Sequence, residues 1–64
     1  MKGKLATEYC GLELPCKVMS SPAWYYIGTE DHEGPVSRES GYYKTRKEAE
    51  QALATGSFDQ RAHP

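Results

Sequence analysis

A chain of 64 residues, 38% hydrophobic and 27% charged, is sized for one small domain, 1–64, burying about 60% of the surface its unfolded form exposes. Its longest apolar run, Ala23 to Ile27, falls far short of the roughly 20 residues of a membrane span, and its formal net charge of −1 sets up no overall field to attract nucleic acid. Two cysteines are too few for a disulfide-stapled secreted scaffold, and Met1-Lys2-Gly3-Lys4-Leu5-Ala6 lacks the apolar stretch of a secretory signal, so the expected compartment is the cytoplasm.

Residues 1–8 show no periodicity and are expected to fray. From there Cys10, Leu12, Leu14, Cys16 and Val18 alternate with Gly11, Glu13, Pro15, Lys17 and Met19, the period of a half-buried strand. Pro15 has no N–H for a ladder bond and marks an edge strand or a bulge. On this reading Cys10 and Cys16 are free thiols on the apolar face. Six residues of extended chain span about 20 Å, whereas disulfide-linked Cα atoms lie roughly 4.4–6.8 Å apart. No ligand set accompanies them, so neither metal nor catalysis is expected there.

Ser20-Ser21-Pro22 signals a turn. Ala23 to Thr29, rich in aromatic and β-branched residues, reads as the second strand. Tyr25 and Ile27 share one face, Trp24 and Tyr26 the other. With Ile27 toward the core, Trp24 and Tyr26 fall on the opposite side. Glu30-Asp31-His32-Glu33-Gly34-Pro35 is the hairpin connection. Its carboxylates and histidine match neither an EF-hand loop nor a zinc motif.

The third strand, Val36 to Lys44, has mixed parity. Val36, Arg38, Ser40 and Tyr42 alternate with Ser37, Glu39, Gly41 and Tyr43, and neither set is apolar throughout. A bulge at Gly41 would swap the two tyrosines, so which of them faces inward stays open. Thr45-Arg46-Lys47-Glu48 has the form of a capping box, Ala49, Ala52 and Leu53 make an apolar stripe, and Gly56 suits the end of the helix. A helix of about ten residues does not persist alone and must dock on the sheet. Phe58 is placed to fold back onto the same core, and residues 59–64 are expected to be a loose tail. The predicted architecture is α+β: a three-stranded antiparallel meander with one C-terminal helix on one face.

No arrangement of nucleophile, base and orienting group stands out. His32 lies in the acidic loop and His63 in the tail. The six glycines are scattered rather than gathered into a phosphate loop. The expectation is a non-enzymatic chain with no cofactor and no metal. Its surfaces then carry the function. A single helix covers one face of the sheet and leaves Trp24 and Tyr26 open, with Glu39 and Tyr43 on the neighbouring strand. Large exposed aromatics are enriched at interface hot spots. The first expectation is therefore a protein-binding module, an accessory or inhibitory factor, working through this face; edge-strand pairing would instead make a homodimer. The alternative is a nucleic-acid-binding patch of Lys44, Arg46 and Lys47 beside the tyrosines.

Tyr25-Tyr26-Ile27-Gly28-Thr29, Glu33-Gly34-Pro35, Ser37-Arg38-Glu39-Ser40 and the run from Thr45 to Leu53 together resemble small uncharacterised proteins encoded by bacterial, phage and plasmid genomes. The resemblance covers about half of the chain and implies no activity.

Overall fold

In the computed structural model, which describes residues 1–62, the elements run α1 (Lys4–Cys10), β1 (Lys17–Ser20), β2 (Tyr25–Asp31), β3 (Gly34–Tyr43) and α2 (Arg46–Thr55). The strands form an antiparallel meander in the order β1-β2-β3. The β2–β3 connection is a tight turn at His32-Glu33. Asp31 Oδ1 accepts from the Glu33 N–H at 2.8 Å, and Gly34 takes φ of 128°, which a side chain would resist.

Directly opposed residues of an antiparallel ladder share a face. The register sets Val18 opposite Ile27, Tyr25 opposite Tyr43 and Thr29 opposite Ser37. These belong to the face that carries both helices. Met19 and Tyr42 both oppose Tyr26, and Lys17 and Arg38 both oppose Gly28; these belong to the other face.

The core joins Leu5 and Ala6 of α1, Ile27 of β2, and Ala49 and Ala52 of α2. Leu53 and Phe58 complete it as half-buried side chains. The Thr45 hydroxyl accepts from the Glu48 N–H at 3.1 Å, so the N-cap read from the sequence is in place. Gly56 ends the helix in the left-handed region at φ 68°.

The ladder between β2 and β3 is broken twice. Tyr26 opposes Tyr42 and Gly28 opposes Arg38, so Ile27 alone faces Glu39, Ser40 and Gly41. The Ile27 N–H is satisfied by the Ser40 hydroxyl at 2.9 Å. A smaller irregularity leaves Val36 unopposed. Extra residues on one strand turn consecutive side chains inward, and here both Glu39 and Ser40 are fully buried.

Two expectations need correcting at the N-terminal end. Residues 1–8 were expected to fray, yet Lys4–Cys10 form a helix, and the single expected helix is one of two. The expected strand from Cys10 shrinks to Lys17–Ser20. The cause is Gly11, which caps α1 in the left-handed region at φ 68°, its N–H bonding the Thr7 carbonyl at 3.1 Å. The alternation beyond it belongs to an extended segment that pairs with the chain start. The Gly3 N–H donates to the Leu14 carbonyl and the Cys16 N–H to that of Met1. Pro15 sits in the single bridge between these segments, opposite Lys2. Cys10 is consequently exposed. Cys16 is half-buried, and burial, followed by the Glu39 carboxylate, pushes its thiol up; the N-terminal amine pulls the other way.

The tail is also anchored. The Arg61 N–H donates to the Glu39 carbonyl at 2.9 Å, and the Tyr9 hydroxyl donates to the Ala62 carbonyl at 3.1 Å. His63, placed in the tail by the sequence, lies outside the described residues.

Thr45→Ala removes the hydroxyl that caps α2 and is expected to cost about 1 kcal/mol. A domain of this size should then melt several degrees lower in a calorimetric scan; an unchanged melting temperature would mean that α2 does not depend on this cap.

Candidate interaction face

The open side of the sheet gathers an aromatic and cationic cluster. Because of the bulge, Tyr42 stands opposite Tyr26, and their rings meet edge to face with centroids 5.9 Å apart at 88°. The Arg38 guanidinium carbon lies 4.3 Å from the Tyr42 ring centroid, a stacked cation–π contact. Gly28 makes the arrangement possible. A Cβ there would meet the Ser37 carbonyl oxygen at 2.4 Å and the Tyr26 ring at 2.9 Å, so only glycine lets the ring lie across the strand. Ser21, Tyr26, Arg38, Tyr42 and Arg61 line a shallow hollow of about 400 Å³.

Trp24 lies in the turn that precedes β2 rather than in the strand. The Ser21 hydroxyl accepts from the Trp24 N–H at 3.1 Å and donates to its carbonyl at 2.9 Å. The Trp24 side chain is 41% exposed and that of Tyr42 51%.

The charges around the hollow are uneven. Among the described residues the ion pairs are Lys2–Glu13, Lys4–Glu8 and Lys17–Glu30, and none includes Arg38 or Arg61. The Arg38 Nε is withdrawn from water and has no hydrogen-bond partner.

Two residues expected on this face are elsewhere. Glu39 is 0% exposed and belongs to the helix-bearing side. Its Oε1 accepts from the Leu5 N–H at 2.9 Å and from the Gln60 side-chain amide at 2.7 Å. Its Oε2 accepts from the Leu5 and Ala6 N–H groups, both at 3.1 Å, and from the Ser37 hydroxyl at 2.6 Å. With the Ser37 proton so committed, the Thr29 hydroxyl, 2.6 Å away, must be the donor to Ser37. Burial pushes the Glu39 carboxyl up. The donors at Leu5, Ser37, Gln60 and Ala6 outweigh it and hold the group below the ordinary glutamate range.

Tyr43 is the second. It opposes Tyr25, is half-buried and borders α2 beside Glu48, Gln51 and Ala52. Burial, and after it the Asp59 carboxylate, push its hydroxyl up.

The residues that replace them, Tyr42, Arg38, Arg61 and Ser21, were not singled out for this face by sequence reasoning. An unbroken ladder counted back from the Asp31–Gly34 pair would set Tyr26 opposite Glu39; the two irregularities move its partner three residues on, to Tyr42. The parity conflict within Val36–Tyr43 was the available signal that a bulge lay there.

Lys44, Arg46 and Lys47 are all exposed. The Arg46 guanidinium lies 5.3 Å from the centroid of the Tyr25 ring, a half-buried residue of the helix-bearing face. The basic patch and the Tyr26–Tyr42 pair therefore do not form one strip. At the end of β2, where the sequence was read as an acidic loop, Glu30 pairs with Lys17 and Asp31 holds the turn. Among the described residues no helix is long and apolar enough to cross a membrane.

No protein-family model matches the chain, and comparison with curated proteins and with solved structures finds no match.

A depressed folded-state pKa at Glu39 means that its stabilisation is complete above the unfolded value, about 4.3, and is lost as pH falls through the folded value. Glu39→Gln is expected to cost about 2–3 kcal/mol at pH 7, since the amide turns a hydrogen-bonded charge into a group that presents protons to the α1 amides. The variant should also lose much of the stability decrease between about pH 5 and pH 2 that the parent shows in chemical denaturation. Parallel acid limbs for parent and variant would contradict this assignment.

Proposed function

We propose that the chain is a non-enzymatic protein-binding module, an accessory or inhibitory factor acting in the cytoplasm, and that it engages its partner through Tyr26, Tyr42 and the adjoining Trp24 turn. The observation that carries this reading is the Tyr26–Tyr42–Arg38 cluster, Tyr42 exposed and its two neighbours half-buried, on the side of the sheet away from both helices. Tyrosine, tryptophan and arginine dominate binding hot spots because they bury large area for few rotatable bonds and keep a polar handle. The ring contact and the stacked guanidinium restrict these side chains before any partner arrives, which lowers the entropy lost on binding.

The face is favoured over edge-strand pairing with a second copy. β1 offers an edge of four residues, and on β3 the Glu39 carbonyl is taken by the Arg61 N–H.

A second reading, nucleic-acid binding by Lys44, Arg46 and Lys47, is supported by the exposure of all three and by the contact of Arg46 with Tyr25. Against it, a stacking platform needs aromatic faces open to bases, and Tyr25 presents its ring to Arg46.

The test is affinity capture from host lysate with and without nuclease, repeated with Trp24→Ala and Tyr42→Ala. A partner protein should survive nuclease and be lost or reduced roughly tenfold with Tyr42→Ala, whose melting temperature should stay within a few degrees of the parent. Capture that disappears with nuclease, and with Lys47→Ala rather than Tyr42→Ala, would replace the protein-binding reading by the second.

A further inference from the structure

We infer that the hollow bordered by Arg38, Arg61, Tyr26, Tyr42 and Ser21 is a carboxylate subsite that takes an Asp or Glu side chain from an acidic segment of the partner protein. This rests on the reading of the open face as the partner-binding surface and adds the chemistry of what binds there.

Arg38 and Arg61 border one concavity whose other walls are two tyrosines and a serine, with no carboxylate among them. The chain has nine Asp and Glu residues against eight Lys and Arg. Even so, neither arginine has found an acidic neighbour within ion-pair distance among the described residues. Glu39, the acidic residue nearest in sequence to Arg38, is committed to the amides of Leu5 and Ala6. A carboxylate brought by a partner would complement this positive charge.

The state of Arg38 narrows the ligand further. Its guanidinium carbon sits over the Tyr42 ring, which restricts the group and leaves its N–H donors as the binding element. The Nε is buried and has no hydrogen-bond partner, so a ligand entering the hollow would meet the terminal nitrogens. The two terminal nitrogens together make a parallel fork that a planar carboxylate accepts in two hydrogen bonds. Arg61 lines the same hollow and is held at its backbone by the Glu39 carbonyl. It supplies the second positive charge.

A single carboxylate suits the surroundings better than a phosphate backbone does. The same hairpin carries Glu30, Asp31 and Glu33 at its far end, and the net charge is −1. A polyanion laid along the strands would meet these carboxylates, whereas one acidic side chain entering the hollow would not.

Arginine Nε–Hε and tyrosine ring resonances of the full chain report the site directly in NMR titrations. Three probes are compared: a short blocked peptide alternating Glu with Leu, its counterpart with Gln for every Glu, and a short oligothymidylate. The acidic peptide should shift the Arg38 and Arg61 Nε–Hε signals and the Tyr26 and Tyr42 rings, and should bind roughly tenfold or more tightly than the Gln peptide. Arg38→Gln should abolish that preference. Arg38→Lys, which keeps the charge and loses the fork, should reduce it several-fold. If Arg38→Gln does not fold, Arg61→Gln is expected to weaken the preference in the same direction.

Equal binding of both peptides through Tyr26 and Tyr42 overturns the carboxylate subsite and leaves the protein-binding face standing. Shifts confined to other surfaces, or none, overturn the subsite, while the Tyr42→Ala capture result decides the face reading separately. Oligothymidylate binding at Arg38 in preference to the acidic peptide overturns it in favour of nucleic acid.

Discussion

A buried, ionised glutamate cannot be left without partners, and Glu39 is the group around which this small fold is arranged. Its effective desolvation penalty is several kcal/mol, comparable to the whole stability of a marginal domain. Four donors meet it: two backbone amides of α1, a hydroxyl of its own strand and a side-chain amide of the tail. Each such bond to a charged acceptor contributes about 1.5–3 kcal/mol, so a full set offsets the penalty and an incomplete one would not. α1 has seven residues and Gly3 as its N-cap, with no side-chain cap of its own. A helix that short does not persist in water. The carboxylate of β3 serves as its cap from across the fold, supplying acceptors to orphan amides and negative charge to the positive end of the helix. Gly3 permits the approach, since a Cβ there would fall 2.7 Å from Glu39 Oε2 and 2.4 Å from the Thr29 methyl.

The open face is the other side of the same distortion. The bulge that turns Ser40 inward beside Glu39 also moves Tyr42 opposite Tyr26 and brings Arg38 onto the Tyr42 ring. The tail links the two sides. Gln60 and the Arg61 backbone are fixed on Glu39, which fixes where Arg61 joins the hollow. Core polar cluster and candidate binding face are thus coupled through one irregular stretch of β3, with Gly28 clearing space on the strand opposite.

How far the sequence could be read followed from how local each signal is. α2 was legible to the residue because its cap, stripe and terminating glycine lie within a dozen positions and act on one another directly. The meander was legible from Tyr25–Asp31 and the turn at its end. α1 was not, because its determinant, Glu39, lies 34 residues from the Leu5 amide that it caps. The mixed parity of Val36–Tyr43 announced a bulge, yet not that it adds two residues opposite Ile27 rather than one. The one extra residue at Val36, not the two opposite Ile27, sets the parity that turns Glu39 and Tyr43 toward the helices and Arg38 and Tyr42 away from them. Tyr26 lies on the side of the sheet away from the helices, while Trp24 is held in a turn and not in the strand.

The central claim is that an ionised Glu39 holds α1, β3 and the tail together. Titrating the Glu39 side-chain carboxyl carbon by NMR, while following the Leu5 and Ala6 amide protons in the same samples, tests it most directly. The structure predicts a midpoint below the ordinary glutamate value of about 4.3, with both amides moving upfield along the same curve as their acceptor becomes neutral. A midpoint at or above that value, or amides that do not follow it, would show that the carboxylate does not cap α1 and would contradict the account.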